Sequence, residues 1–168
     1  MKARGTLTLA LNVSNGETVL IDSKTYVFVN TLTGVDGQVK IGVTKEESVA
    51  NLIAAINLEG TPNSQYTTQT TLHPTAYAKI GSTTAKLLAI AKVGGVGGNS
   101  IALAESLVGA GNQWDAATLG TTVAGADESD ADSFIQPHYY GGVNNNSGQQ
   151  YNVREMYYHG GGESDASD

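Results

Sequence analysis

The pattern of apolar and polar residues near the start of the chain predicts β-strands. From position 5 to position 13 every second residue is apolar, which is typical of a strand with one buried face. The apolar residues of this alternation are Leu7, Leu9, Leu11 and Val13. Asn15-Gly16 favours a type I′ turn, and β-rich runs follow at 18–21 and 25–29. We therefore expect three antiparallel strands that form a meander.

One helix is predicted after a short fourth strand at 39–43. Thr44 and Glu47 have the spacing of a capping box, in which each side chain accepts a hydrogen bond from the other residue's backbone N–H. An apolar stripe with helical spacing follows and consists of Val49, Leu52, Ile53 and Ile56. Gly60 and Pro62 end the pattern. We expect this helix to cover one face of the sheet.

The second half of the chain has a less regular pattern. The stretch from 61 to 75 is rich in Thr, Gln, Asn and Ser, and we interpret it as a solvated loop or an exposed edge strand. Two further strands are predicted at 76–80 and 85–92, and we expect them to return to the same sheet. The state of 100–107 stays open, and hydrophobic periodicity ends after Ala124.

These elements together predict one α+β domain over residues 1–126. It consists of an antiparallel β-sheet, made of the meander and the later strands, with one helix packed on a face. The composition supports a real core, because 40% of the residues are hydrophobic and 15% are charged. Residues 127–168 are predicted to form an extended C-terminal arm.

The absence of cysteine excludes disulfides, thiol catalysis and thiolate metal sites. Near Met1 there is no basic stretch followed by a long apolar run, and no window approaches about eighteen consecutive apolar residues. We therefore expect neither a secretory signal peptide nor a membrane span, and no membrane partner.

The net charge of −7 is concentrated at one end of the chain. Residues 1–126 contain eight acids and eight bases, whereas residues 127–168 contain eight acids and one base. An acidic terminal segment argues against binding to a phosphate backbone, which requires clustered Lys and Arg. Nucleic acid is therefore not an expected partner.

The acidic arm is also rich in tyrosine. It holds five of the eight tyrosines, and tyrosine supplies large amphipathic contact area in interfaces. We predict that the arm orders against a partner and that its interface residues are Tyr139, Tyr140, Tyr151, Tyr157 and Tyr158.

No sequence motif indicates catalysis. The glycine-rich stretch at 94–98 lacks the Lys-Ser/Thr of a phosphate-binding loop, and we interpret it as a connection between strands. A Gly-x-Ser-x-Gly elbow is absent as well. The single tryptophan, Trp114, is interpreted as a core residue. We predict that the chain is not an enzyme and has no cofactor.

Two groups of residues are candidates for metal binding, and neither is expected to bind a metal. The three histidines lack the spacing that places two ligands on one helical face, and they are His73, His138 and His159. An acidic cluster lacks the glycine and the bidentate glutamate of an EF-hand, and it consists of Asp127, Glu128, Asp130 and Asp132. We interpret this cluster as a solvated hinge.

Several stretches carry a family resemblance. They are Gly-Glu-Thr-Val-Leu-Ile at 16–21, Lys-Thr-Tyr-Val-Phe at 24–28, Val-Lys-Ile-Gly at 39–42 and Asn-Leu-Ile-Ala-Ala-Ile-Asn at 51–57. With the Gly-rich turn and the Trp segment of the second half, residues 5–126 resemble a domain of tailed-bacteriophage virion proteins. The matched positions are strand, turn and cap residues, so the resemblance implies a fold and a setting and no catalytic site.

The resemblance implies a structural role in the virion. We expect a capsid decoration or cement protein that bridges neighbouring capsid subunits, with the major capsid protein or other virion proteins as partners. A homo-oligomer is expected, and a trimer is the working assumption, although no heptad or repeat supports that number.

Two alternatives stay open. The first is a tail, neck or fibre-attachment component of the virion. The second, which the sequence favours less, is a glycan-binding module that uses exposed Tyr and Trp, because stacking requires aromatic rings on a rigid surface.

Overall fold

The computed structural model describes residues 1–127 and two short strands in the segment that follows. The chain divides into two compact units, Met1–Asp127 and Glu128–Asp168. In the second unit, strands β9 (Val143–Asn144) and β10 (Gln150–Tyr151) pair in antiparallel orientation. The eight strands and the α-helix of the first unit are described below.

Two four-stranded sheets form the first unit. The first sheet is antiparallel, with the order β5-β6-β1-β8, and its strands are β1 (Arg4–Thr8), β5 (Ala76–Ile80), β6 (Lys86–Ala91) and β8 (Gln113–Trp114). The second sheet has the order β4-β3-β2-β7, and its strands are β2 (Thr18–Ile21), β3 (Lys24–Val29), β4 (Gln38–Lys40) and β7 (Leu103–Glu105). Only β3 and β4 run parallel within the second sheet.

Helix α1 (Lys45–Asn57) packs against β5 and β6 of the first sheet and against β4 of the second. The α+β class predicted from the sequence is therefore confirmed. The helix contributes to one hydrophobic core that both sheets share. The largest aliphatic and aromatic side chains of this core include Leu7, Ile21, Tyr26, Phe28, Leu52, Ile56, Leu87 and Leu119.

The predicted meander is wrong, because β1 does not pair with β2. Strand β1 ends at Thr8, and both of its edges are occupied by β6 and β8. The alternation continues to Val13, but Leu11 is 54% exposed. The turn at Asn15-Gly16 instead delivers the chain to the β2–β3 hairpin, where the Gly16 N–H donates to the Phe28 carbonyl.

The later strands also lie in a different sheet from the one predicted. Strands β5 and β6 form where the sequence placed them, but they join β1 and leave the β2–β3 hairpin in the second sheet. The fourth strand is shorter than predicted, since it ends at Lys40 and Val43 is 90% exposed. Its parallel pairing with β3 follows from the loop at 30–37, which returns the chain in the same direction.

The start of α1 confirms the predicted cap, with one difference. The Thr44 hydroxyl accepts from the Glu47 N–H at 3.2 Å. The Glu47 carboxylate, however, accepts from the Val43 N–H at 2.8 Å and not from Thr44. The helix ends earlier than Gly60, because Leu58 has a left-handed backbone with a φ of 57°.

The polar stretch 61–75 is a loop, but it is not simply solvated. It covers the outer edge of β4, where the Lys40 N–H donates to the Gln65 carbonyl and the Thr67 N–H donates to the Gln38 carbonyl. Four of its residues are buried, namely Tyr66, Thr67, Thr70 and His73. Composition misled the prediction here, because polar residues that cover a sheet edge are buried together with the backbone groups they satisfy.

Gly5 shows how closely the two sheets approach. A Cβ atom at this position of β1 would lie 2.8 Å from Leu103 Cδ1 and 2.9 Å from Leu119 Cδ2. Both carbons are ends of leucine side chains, which would have to move to admit a larger residue here. Leu103 and Leu119 thus pack directly on the backbone of β1.

Glu17 is a buried acid that joins two loops. One oxygen of its carboxylate accepts from the Ser14 N–H at 3.0 Å, and the other accepts from the Val108 N–H at 3.0 Å. Both bonds involve a charged acceptor, which makes them stronger than bonds between neutral groups. The carboxylate thus fixes the entry into β2 and the loop after β7.

We expect Glu17→Ala to lower the free energy of unfolding by roughly 2–3 kcal/mol, because two backbone donors lose a charged acceptor. Urea unfolding followed by circular dichroism measures the change. The matched control is Glu105→Ala on β7, an exposed acid whose loss should cost no more than about 0.5 kcal/mol. Equal losses for the two variants would contradict this role of Glu17.

His73 is fully buried beside the second sheet. Its Nε2 lies 3.0 Å from the Ile21 carbonyl oxygen, and its Nδ1 accepts from the Thr75 and Ala76 N–H groups at 3.2 and 3.0 Å. This pattern requires a neutral ring with the proton on Nε2. Burial lowers the pKa of His73, the Lys24 and Lys92 ammonium groups act in the same direction, and Asp22 and the bond to Ile21 oppose them.

A depressed pKa in the folded state makes stability depend on pH. Below about pH 6.5 the unfolded chain takes up a proton on His73 that the folded chain refuses, so stability falls as the pH falls. We expect the free energy of unfolding to decrease between about pH 7 and pH 5.5, and His73→Gln to flatten this slope. His138→Gln serves as the control. Identical slopes for wild type and His73→Gln would show that His73 is not the titrating group.

Candidate interaction surface

The outer face of the first sheet is the candidate functional surface. Residues on β1, β5 and β6 alternate between the core and this face, so that Leu7, Ala78 and Ala89 point inward. We define the basic face as the outward residues of these strands together with Lys2, which lies over the Tyr77 ring. Its charged and apolar members are Lys2, Arg4, Tyr77, Lys79, Lys86, Leu88 and Ile90.

Strand register places these residues in rows. Arg4 lies opposite Ile90, which lies opposite Tyr77. In the next outward row Leu88 lies between Thr6 of β1 and Lys79 of β5. Each row therefore has an apolar residue of β6 at its centre and a cation at one end.

Tyr77 is the aromatic centre of the basic face. The Lys2 Nζ lies 5.2 Å and the Lys79 Nζ lies 5.8 Å from the centroid of its ring. Cation–π contacts of this kind contribute about 0.5–1 kcal/mol at exposed sites. They keep two ammonium groups close to a half-exposed tyrosine.

The bases of the first unit fall into two equal groups. Four of the eight donate to oxygen atoms of the body, with Lys24 bound to Asp36 and Thr71, Lys40 to Asn30, Lys45 to Ala10 and Lys92 to His73. Within residues 1–127 the other four have no such oxygen partner, and they are the bases of the basic face. Within residues 1–127 only Lys24 is paired with an acid, since Lys40, Lys45 and Lys92 bind neutral carbonyl oxygens and keep their charge. The basic face is distinguished by four bases gathered on one side of one sheet.

Among the described residues, Asp115 and Glu59 lie on or beside the basic face. Asp115 borders a depression of about 470 Å³ together with Lys86 and Leu88, and its Oδ1 accepts from the Thr6 N–H at 2.9 Å. Glu59 borders a second depression, of about 350 Å³, together with Tyr77. Both depressions are lined partly by residues of the basic face, whose surface is therefore uneven.

Side chains occupy the middle of the β5 edge of the first sheet. The Asn57 side chain donates to the Ala78 carbonyl at 2.8 Å and accepts from the Ala78 N–H at 2.9 Å. The Ala76 N–H donates to His73, as described above. These side chains occupy positions that a further strand would take, so a partner meets the face of this sheet more readily than its edge.

The structure does not describe most of the tyrosines predicted to form an interface. Tyr139, Tyr140, Tyr157 and Tyr158 lie outside the described residues, and Tyr151 lies on β10, opposite Val143. The described residues also do not include His138, His159, Glu128, Asp130 and Asp132.

Other predicted features have definite places in the first unit. The glycine-rich stretch forms a 3₁₀ turn, Val96–Gly98, in the connection between β6 and β7, as predicted. Trp114 is buried in the core, as predicted, and its Nε1 donates to the Ala104 carbonyl at 3.1 Å. His73 is a core residue, and among the described residues no group of three side chains could hold a metal ion.

The basic face was missed in the sequence because its residues come from both ends of the first unit. The alternation at 76–79 and 86–90 does place Tyr77, Lys79 and Lys86 on one side of their strands. Lys2 and Arg4, however, join them only through the pairing of β1 with β6. The sequence prediction assigns β1 no partner among the later strands.

Comparison with protein-family models, with curated proteins and with solved structures gives no match. Among the described residues no helix has the length and apolar character needed to cross a bilayer.

We expect Asn57→Ala to lower the free energy of unfolding by about 1–3 kcal/mol, because the Ala78 backbone loses two hydrogen bonds. The freed edge should also pair with other chains, so light scattering should detect concentration-dependent aggregation. The exposed residue Asn30 provides the control, and Asn30→Ala should change neither property. An Asn57→Ala protein as stable and as monodisperse as that control would contradict edge protection.

Proposed function

We propose that this chain is a non-enzymatic structural protein of a tailed-bacteriophage virion, and that it acts as a capsid decoration or cement protein. In this role it bridges neighbouring capsid subunits and stabilises the head. Its partners are the major capsid protein or other virion proteins, and it acts as a homo-oligomer with a trimer as the working model.

The observation that carries this proposal is the combination of two unlike parts in one chain. The first unit is a compact α+β body with one basic face. The remainder, 128–168, holds seven acids, one base and five tyrosines. A rigid body joined to a long segment of interface-forming composition suits a protein that links separate subunits.

The position of the chain at the end of the first unit supports the same function. The Met1 and Ala126 backbones exchange hydrogen bonds, and the Arg4 N–H donates to the Val123 carbonyl at 3.0 Å. The chain therefore leaves the body beside its first strand. On a lattice, many such attachments convert modest contacts into strong overall binding.

The resemblance of residues 5–126 to virion proteins supports the setting and leaves the location within the virion open. A tail, neck or fibre-attachment component is the second candidate, and copy number separates the two. A glycan-binding module is a weaker candidate, because Lys2 lies over the Tyr77 ring that a sugar would stack on.

The proposal is tested with the full chain and with capsids assembled without it. We expect wild type to bind these capsids in hundreds of copies and to raise the temperature at which they break open. Replacing all five interface tyrosines, Tyr139, Tyr140, Tyr151, Tyr157 and Tyr158, with serine should weaken binding about tenfold or more, because their contacts act together across the lattice. Co-sedimentation and thermal melting of the particles measure both effects.

The control replaces five polar residues of the same segment with serine, namely Asn144, Asn145, Asn146, Gln149 and Asn152. This variant should bind like wild type. Equal binding by the tyrosine variant would refute the role of the arm. A saturated occupancy of about six or twelve copies would instead favour the tail or neck candidate.

A further inference from the structure

We propose that the basic face is the docking surface for the acidic segment 128–168 of a neighbouring copy of this chain. This inference rests on the proposed function, in which copies associate on a lattice. It adds the identity of the two surfaces that meet.

Charge complementarity is the first argument. The basic face presents Lys2, Arg4, Lys79 and Lys86, which have no oxygen partner within residues 1–127. Segment 128–168 carries seven acids and the single base Arg154. Opposite charges of this kind steer association and favour one pairing over others.

The uncharged chemistry of the two surfaces also matches. The accessible apolar strip of the basic face consists of the half-buried residues Leu88 and Tyr77, whereas Ile90 between them is only 5% exposed. Tyrosine rings can pack on such a strip and accept cation–π contacts from the surrounding lysines. The segment supplies five tyrosines interspersed with its acids.

The β5 edge determines how the segment binds. Because Asn57 binds both backbone groups of Ala78 and His73 binds the Ala76 N–H, the segment cannot pair with β5 as a strand at Ala78. Side chains must therefore carry the recognition. Binding through charged side chains weakens with salt, which strand addition alone would not require.

The length of the segment allows contact with a neighbour. It starts after Asp127, beside the first strand of its own body, and its 41 residues can span at most about 140 Å. Each copy thus offers one segment and one basic face. Head-to-tail exchange of this kind closes into a ring when the rotation between copies permits.

The test uses full-length charge variants and native mass from light scattering. Wild type should be a closed oligomer in low salt. Lys79→Glu with Lys86→Glu should raise its dissociation constant about tenfold or more and shift it to monomer. The control, Lys40→Glu with Lys45→Glu, makes the same change of charge on bases outside the basic face and should stay oligomeric. Circular dichroism establishes that both variants are folded.

A second variant reverses charges in the acidic segment 128–168. Asp130→Lys with Asp132→Lys should also be monomeric. Mixing it with the Lys79→Glu/Lys86→Glu protein should restore the oligomer, because each chain then meets a surface of opposite charge. Simple misfolding of either variant would not be rescued in this way.

The outcomes separate this inference from the proposed function. An oligomer that is insensitive to the Lys79→Glu/Lys86→Glu change overturns the inference. So does a wild type that is monomeric at every concentration, including one whose segment binds its own body. If such a protein still decorates capsids, the proposed function stands alone. If the oligomer requires both surfaces but ignores capsids, the docking contact stands and the virion role fails.

Discussion

The fold depends on hydrogen bonds to the backbone N–H and C=O groups at the edges of two short sheets. Strands β4, β7 and β8 have only two or three residues each, so strand pairing alone leaves many polar groups without partners. Side chains and loops supply the missing bonds. Asn57 binds the edge of β5, the Trp114 indole binds the edge of β7, and the loop at 65–67 binds the edge of β4.

These edge contacts also join the two sheets. Trp114 belongs to the first sheet, and its indole reaches a carbonyl of the second. Three residues later the Ala117 carbonyl accepts from the Leu103 N–H of β7. Helix α1 performs the same task on the opposite side, where it packs between β4 and β5. The outer face of the first sheet lies beside these contacts and carries the four bases of the basic face.

Local signals in the sequence were sufficient for some elements. Thr44 and Glu47 located the start of the helix because a cap involves only neighbouring residues, and β2 and β3 pair across a two-residue turn. The partner of β1 was not predictable in this way. Its two neighbours are β6 and β8, which lie about 80 and 110 positions further along the chain, and no local rule selects them. The basic face depends on that choice, so it was missed as well.

Polar composition concealed a further part of the fold. Residues such as Thr67 and His73 read as solvent-facing in a linear sequence, yet they are buried because they satisfy backbone groups of strands. Burial of a polar residue depends on the partner it finds, and that partner is set by the tertiary fold.

The exchange of hydrogen bonds between Met1 and Ala126 has a topological consequence. The two ends of the first unit therefore lie side by side. Its sequence can therefore be circularly permuted, or inserted into a surface turn of another protein, without stretching either connection.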